Sequence, residues 1–208
     1  VEEAGIELSD LKYVSVSAYP GLLGALIIGG QMARCLGLAL GIPIIPVDHL
    51  EAHLSAIRLE GRKPEFPFLG LLLSGGNSAI YLVHDFGNME LIGDTMDDAL
   101  GEAFDKVATL LGLPYPGGPY IEKYAGEYTP SKGEKPLFPE LLKNLPRNKV
   151  QFSYSGLKTS VLYYLKKNPP KEEDIPKICY FFQEAAFQLV IKNVQRATEI
   201  TKIKRIVA

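Results

Sequence analysis

The 208-residue chain has no tryptophan, only two cysteines and only three histidines. Cys35 and Cys179 stand in apolar stretches and form no C-x-x-C pair, so we expect two buried thiols in a protein of a reducing compartment. The chain contains no G-x-x-x-x-G-K-[ST] phosphate loop and no visible Ser/His/Asp nucleophile elbow. Its net charge of -2 gives no overall nucleic-acid signature, so contact with a nucleic acid requires a local basic patch or a partner subunit.

The amino terminus also lacks a signal peptide, because Val1-Glu2-Glu3-Ala4 has neither a basic region nor a following apolar stretch. The most apolar run, residues 21–41, includes Gln31 and Arg34, which favours a buried helix over a membrane span. We therefore expect a cytoplasmic protein without a membrane partner. The missing initial methionine and the strand-like ending at residues 204–208 predict a fragment that is incomplete at both termini.

Hydrophobic patterning predicts an α/β protein. The first part of the chain shows the order strand, helix, strand and helix, with strands at 12–18 and 42–47 and a first helix at 22–41. The second helix follows Asp48, which suits its N-cap. A polar, proline-containing stretch at 61–67 predicts a linker between two lobes, residues 1–64 and 65–208.

The second lobe is predicted to begin with strands and to continue with helices. The strands are 68–73, 78–83 and about 89–92; the helices are 97–112, about 120–124, one after Ser155, and about 175–201. Apolar residues of the last helix recur every three to five positions, which predicts a core-facing stripe. Phe181, Phe182 and Phe187 are interpreted as core and not as a base-stacking platform.

His49 and His53 are four residues apart, so on a helix both imidazoles can reach one ion. A partly exposed polar edge is the alternative, since two histidines supply only half of the ligands that a zinc-like ion needs. His84 is interpreted as a turn residue near Gly87. Glu51 lies about 200° around the helix from each histidine and is a poor general base, which disfavours a metalloprotease.

Three further stretches contain groups suited to ligand binding. The strand-to-turn segment 72–76 offers backbone N–H groups to an anion, although an ordinary hairpin turn explains it equally well. The segment 97–106 is rich in carboxylates, for which helix capping and a solvated face are the favoured explanations. The segment 152–159 combines hydroxyls, a glycine and a lysine before a helix, where phosphate can bind.

Five ordered motifs together resemble those of the TsaD family, the tRNA N6-adenosine threonylcarbamoyltransferases once described as O-sialoglycoprotein endopeptidases. The motifs are His49-Leu50-Glu51-Ala52-His53, Leu73-Ser74-Gly75-Gly76, Asp97-Asp98 with 101–106, Pro116-Gly117-Gly118-Pro119, and 152–159. The resemblance implies a two-lobed actin-like and Hsp70-type ATPase (ASKHA) fold with a nucleotide between the lobes. The second lobe would carry a helical insertion.

The resemblance also implies roles for particular residues. His49 and His53 would bind one divalent metal ion, iron or zinc, with a third protein ligand beyond Ala208. Asp105 would bind ribose hydroxyls, Gly118 would approach the nucleoside, and Glu122 is a weaker candidate on the nucleoside side. The phosphate or carbamoyl part of the substrate would contact Leu72, Leu73, Ser74, Gly75 and Gly76.

The implied reaction is attack by N6 of the adenosine next to the anticodon on the carbamoyl carbon of threonylcarbamoyl-adenylate, without a covalent nucleophile. The tRNAs concerned read codons that begin with A, and the implied ligands are an adenine nucleotide or threonylcarbamoyl-adenylate. TsaB-like and TsaE-like subunits would be partners. A nucleotide-binding scaffold and a small-molecule kinase of the same fold stay open as alternatives. Tyr19-Pro20-Gly21 and Asn77-Ser78 depart from the family's usual Gly-Pro-Gly and His-Thr.

Overall fold

A computed structural model describes residues 2–61 and 63–208, apart from the side chains of Glu2 and Glu60. The chain forms two compact units, Val1–Lys63 and Pro64–Ala208. The division falls within residues 61–67, where sequence patterning predicts the linker. That each unit corresponds to one lobe of an actin-like fold stays a prediction.

Unit 1 is a β-α-β-α arrangement. Its elements are β1 (Val14–Tyr19), α1 (Leu23–Leu40), β2 (Ile44–Asp48) and α2 (His49–Ser55), with short 3-10 helices at Glu2–Ala4, Leu8–Asp10 and Ala56–Glu60. β1 and β2 pair in parallel, and α1 is the crossover between them. Gly41 ends α1 with a φ of 68°, a left-handed conformation that glycine adopts at low cost.

The prediction that the apolar run forms a buried helix is wrong for most of its surface. The small residues Gly29, Ala33 and Gly37, spaced by four, face β1 and β2, and a Cβ on Gly37 would lie 2.8 Å from Ile44 Cγ1. Small side chains let the helix approach the sheet closely, so the large apolar residues point outward. Leu23 is 73% exposed and Leu38 is 88% exposed.

The two cysteines differ in burial. Cys35 lies on α1 and is exposed, which corrects the prediction that both thiols are buried. Cys179 is buried in unit 2, and burial raises its pKa to about 12. The thiolate of Cys179 is thus disfavoured at neutral pH.

α1 is the one helix among the described residues with the length and composition to cross a membrane. Core helices of soluble proteins meet the same criteria of length and composition. Of the 18 residues of α1, 11% are buried in this structure.

Unit 2 begins with an antiparallel meander of β3 (Phe68–Leu73), β4 (Ser78–Asp85) and β5 (Asn88–Asp94). A short strand, β6 (Ile206–Val207), pairs in parallel with β3 and gives the order β5-β4-β3-β6. His84 lies near the end of β4, 3.7 Å from a carboxylate oxygen of Glu90, and not in the turn where the sequence places it.

Four α-helices follow in unit 2: α3 (Leu100–Leu110), α4 (Gly117–Gly126), α5 (Ser155–Lys167) and α6 (Ile175–Thr201), with a 3-10 helix at Glu172–Asp174 before α6. The predicted helix start at Asp97 is wrong by three residues. The backbone after β5 does not enter a helix at once, because Met96 N–H donates to the Phe152 carbonyl and Thr95 forms an isolated parallel bridge with Phe152. Residues 96–98 then form a bend. Asp97 and Asp98 therefore precede α3 and do not lie in its first turn.

The core of unit 2 lies between the sheet and helices α3 to α6. Phe181 and Phe182 are buried there as predicted. Phe187 is 40% exposed, so its assignment to the core is wrong. Its ring centroid lies 5.9 Å from that of the buried Phe104, at the border between the core and solvent.

Candidate functional site

The turn between β3 and β4 carries the glycines that the sequence singles out. Ser74 N–H donates to the Asn77 carbonyl over 2.8 Å, and the Ser74 hydroxyl accepts from Asn77 N–H over 3.0 Å. Within residues 2–61 and 63–208, the N–H groups of Gly75 and Gly76 have no protein acceptor, and both glycines are exposed. Two adjacent free N–H groups on a rigid turn can bind an anionic or carbonyl oxygen.

The amino-terminal end of α3 packs directly on this turn. Gly101 N–H donates to the Ser74 carbonyl over 3.2 Å. A Cβ on Gly101 would lie 2.9 Å from both Gly75 Cα and the Ser74 carbonyl oxygen. Only a glycine permits this backbone approach, so Gly101 fixes the distance between the turn and α3.

One turn further along α3, Asp105 holds the start of α4. Its Oδ1 accepts the Gly117 N–H over 2.7 Å. A Cβ on Gly117 would overlap the Ala108 Cβ and lie 3.0 Å from Asp105 Cα. The Asp105 carboxylate is half-buried, and Oδ1 is the oxygen bonded to Gly117. Oδ2 remains to accept a hydrogen bond from a ligand.

These contacts enclose a cleft of about 430 Å³ within unit 2. Polar groups come from Ser74, Gly75 and Asp105, and aromatic surface comes from Phe104, Tyr115 and Phe187. The remaining lining residues are Leu73, Leu100, Gly101, Pro116, Gly118 and Pro119. Its size and its few converging polar groups are typical of small-molecule sites.

The helix amino terminus that the sequence offers to phosphate is occupied by a protein carboxylate. Asp97 accepts hydrogen bonds from the hydroxyls of Ser153 and Ser155, each over 2.6 Å, and from Tyr154 N–H and Ser155 N–H at the start of α5. Burial raises the pKa of Asp97, but these hydrogen bonds outweigh it and leave the pKa below its usual value. The 152–159 motif thus connects α5 to the β5–α3 loop.

The other carboxylates near α3 are balanced by lysines. Lys106 Nζ lies 2.7 Å from Asp98 Oδ1 and 2.8 Å from Glu102 Oε1, and Lys158 Nζ lies 3.6 Å from Asp98 Oδ2. Hydrogen bonds to Asp98 and Glu102 raise the pKa of Lys106. These contacts explain the acidic motif without a ligand and leave Asp105 as its member in the cleft.

Unit 1 carries the histidine pair on α2. Asp48 caps this helix as predicted, accepting from Leu50 N–H over 2.7 Å and Glu51 N–H over 2.9 Å. His49 and His53 are exposed, and their Nε2 atoms lie 3.1 Å apart. Two nitrogens bound to one tetrahedral zinc at its usual bond length would be about 3.4 Å apart. The observed separation is that of a hydrogen bond between the two rings and is close to that of two ligands on one ion, while the described residues supply no third His, Cys, Asp or Glu ligand.

Similarity to known proteins shows the family to which the chain belongs. All 208 residues match the family model of TsaD, tRNA N6-adenosine threonylcarbamoyltransferase. The chain belongs to the TsaD family. A tRNA N6-adenosine threonylcarbamoyltransferase of Leptospira interrogans is 59% identical over the whole chain, and one of Geotalea uraniireducens is 45% identical over the whole chain.

The chain spans 61% and 59% of the length of these two relatives, about three fifths. Among solved structures, YeaZ from Pseudomonas aeruginosa is 22% identical with a TM-score of 0.31, covering 43% of each chain. That overlap is too small to bear on the fold. The secondary structure confirms the predicted α/β class. Because the chain belongs to the TsaD family, its fold is of the actin-like, Hsp70-type class that the motifs predict.

The cleft brings together five of the eight residues predicted to bind substrate: Leu73, Ser74, Gly75, Asp105 and Gly118. Three predicted residues do not line it. Leu72 is buried in β3, Gly76 is exposed on the turn, and Glu122 is exposed on α4.

Sequence analysis missed the aromatic side of the cleft. Phe104 belongs to the motif that contains Asp105, and Tyr115 precedes Pro116 of the next motif, so both positions carried an available signal. Phe187 comes from the middle of α6, and its apolar spacing is that of a core residue. Only the packing of α6 against α3 brings it to the cleft.

Proposed function

We propose that the full-length protein transfers the threonylcarbamoyl group from threonylcarbamoyl-adenylate to N6 of the adenosine next to the anticodon, in tRNAs that read codons beginning with A. The observation that carries the proposal is the single cleft that unites Ser74, Gly75, Asp105 and Gly118. Its support is the membership of the chain in the TsaD family.

The chemistry of the cleft suits the parts of an acyl-adenylate. The free N–H groups of Gly75 and Gly76 would bind the phosphate or the carbamoyl oxygen. Asp105 would accept hydrogen bonds from ribose hydroxyls, because a carboxylate is an acceptor only. Phe104, Tyr115 and Phe187 offer apolar faces to the adenine ring, and Gly118 leaves room beside Asp105.

Within this proposal the protein acts by orientation. N6 of the tRNA adenosine attacks the carbamoyl carbon, the bond between that carbon and the phosphate oxygen breaks, AMP leaves, and N6 releases one proton to the leaving AMP or to water. The attacking atom belongs to the RNA, so no residue need form a covalent intermediate. The turn amides would hold the developing negative charge on the carbamoyl oxygen, and Asp105 would fix the position of the leaving nucleotide.

His49 and His53 would hold one divalent ion, iron or zinc, through their Nε2 atoms, with a third protein ligand beyond Ala208. Such an ion supplies Lewis-acid polarisation and a template for the acyl group. Asp48 would orient both histidines by holding the start of α2. The proposal includes a cytoplasmic location and TsaB-like and TsaE-like partner subunits, as the family resemblance implies.

The proposal is tested by transfer of labelled threonylcarbamoyl to unmodified tRNA, with the full-length protein and its partner subunits. His49→Ala or His53→Ala is expected to abolish both metal binding and transfer. Lys63→Ala, a change of an exposed residue outside both sites, is the matched control and should leave transfer unchanged. Undiminished transfer by both histidine variants would contradict the metal role; binding of adenylate without turnover in the parent would favour a scaffold.

A further inference from the structure

Unit 2 carries a local excess of positive charge where the segment before α5 packs on α6. Residues 141–151 contain Lys143, Arg147 and Lys149 and no aspartate or glutamate. All three side chains are exposed. Together with Lys192 of α6 they form what we call the basic patch. Arg196 of α6 lies beneath it, with Nη1 of its guanidinium buried. The whole chain has a net charge of -2, so this region departs from the average of the molecule.

The segment is tied to α6 at two places. The Arg196 guanidinium donates through Nη2 to the Leu145 carbonyl over 3.1 Å. The buried side chain of Asn193 donates to the Gln151 carbonyl over 2.7 Å and accepts from Gln151 N–H over 3.3 Å. The cations therefore belong to one built surface.

Few carboxylates balance the basic patch. Among residues 2–61 and 63–208, Glu140 is the one carboxylate that forms an ion pair with a patch residue, through Lys192. Lys106 and Lys177, elsewhere in unit 2, each lie within 2.8 Å of a carboxylate oxygen. Lys143, Arg147 and Lys149 form no ion pair with the described residues, although Lys143 lies near enough to Glu140 to help lower the pKa of that carboxyl. The charges of Arg147 and Lys149 are therefore available to an outside anion.

We propose that the basic patch binds the phosphate backbone of the tRNA substrate at nucleotides away from the one that is modified. This inference rests on the proposed function. The exposed cations Arg147 and Lys149, beyond the reach of Glu140, can each contact a phosphate, and the release of counterions from the RNA supplies the binding free energy. Because the chain's overall charge is negative, RNA contact by this chain itself needs such a local patch, the alternative being contact through a partner subunit.

The position of the basic patch on α6 separates it from the cleft. Arg196 follows Phe187 by nine residues, which is about 14 Å along the helix and half a turn around it. The side chains of Phe187 and Arg196 therefore leave α6 on different sides. An RNA bound by both would contact the patch with a different part from the adenosine in the cleft, so the patch affects RNA affinity and not nucleotide affinity.

The test is equilibrium binding of unmodified tRNA to the full-length protein over a range of salt concentrations. Arg147→Ala combined with Lys149→Ala is expected to weaken binding by roughly tenfold at low salt and to reduce the slope of log affinity against log salt by about 1.5. Lys166→Ala combined with Lys167→Ala is the matched control. It removes the same charge from exposed residues in the last turn of α5, outside the basic patch, and should change affinity less than threefold.

The proposal is overturned if the Arg147/Lys149 variant binds tRNA like the parent, if the control loses as much affinity, or if the parent binds no tRNA. Adenine nucleotide affinity measured in parallel should be the same in all three proteins. A loss of tRNA affinity together with a parent that fails to catalyse transfer would leave the basic patch standing and the proposed reaction wrong. Normal transfer with unchanged tRNA binding in the variant would leave the reaction standing and the patch wrong.

Discussion

The two units hold their candidate sites in different ways. In unit 2 the cleft is fixed by backbone contacts, since Gly101 packs on the Ser74-Gly75 turn and Gly117 on α3. In unit 1 the two histidines project from an exposed seven-residue helix whose first turn depends on the Asp48 carboxylate. The shape of the cleft is therefore determined within unit 2, whereas the position of the histidine pair depends on one helix cap.

Burial shows the same contrast. The core of unit 2 contains most of the buried apolar residues of the chain, including Phe152, Phe182 and Leu189. Among the described residues of unit 1, those of α1 that are buried are all small. The largest buried apolar side chain of the unit is Leu54 of α2. A substitution in the site of unit 2 should therefore lower the free energy of unfolding as well as ligand affinity. A substitution in unit 1 should change mainly the affinity for metal.

The largest effect is expected from Gly117→Ala in unit 2. The added methyl would meet Ala108 and the backbone of α3, so we expect a loss of about 2 kcal/mol in unfolding free energy. Nucleotide binding should fall more than tenfold, because α4 would move from Asp105. Gly118→Ala is the control for stability, since its Cβ would meet nothing within 4 Å. Thermal unfolding and nucleotide calorimetry measure both; equal stability of the two variants would contradict a cleft fixed by backbone contact.

Asp105→Asn tests the charge at the centre of the cleft with its shape preserved. The amide oxygen can still accept from Gly117 N–H, but the carboxylate's hydrogen bonds to ribose hydroxyls are weakened by about 1.5–3 kcal/mol, a loss of roughly 10- to 150-fold in nucleotide affinity. Glu127→Gln makes the same chemical change at an exposed position at the end of α4, outside the cleft, and should leave affinity within twofold. Similar losses in both variants would place the nucleotide elsewhere.

Asp48→Ala tests the dependence of unit 1 on a single cap. Loss of the two hydrogen bonds to Leu50 and Glu51 should destabilise α2 by about 1 kcal/mol and weaken metal binding by a corresponding fivefold. Asp10→Ala, which removes the cap bond to Glu7 in the same unit, is the control. Metal titration of the full-length protein should separate them; unchanged affinity in Asp48→Ala would mean that ligands outside α2 determine the geometry.

Local features of the fold could be predicted from sequence because local physics determines them. Strand β3, the N-cap Asp48 and helix α6 follow from periodicity and capping chemistry, and the glycine turn follows from its motif. Two errors arose where a distant segment decides. Phe152 bonds to Met96 before α3 can start, and packing against Phe104 of α3 brings Phe187 to the cleft. Neither contact leaves a periodic signal in the segment concerned. The error on α1 differs, because Gly29, Ala33 and Gly37 recur every four residues and mark the narrow buried side of the helix.

The most direct test of the account is photo-crosslinking of the full-length protein with 8-azido-ATP, followed by identification of the labelled peptides. The account predicts labelling of the peptide with Tyr115 or the peptide with Phe187, competed by unlabelled adenine nucleotide and lost in Gly117→Ala. Competed labelling confined to residues outside the cleft, such as the separate cavity of about 380 Å³ lined by Glu134 and Phe138, would contradict it.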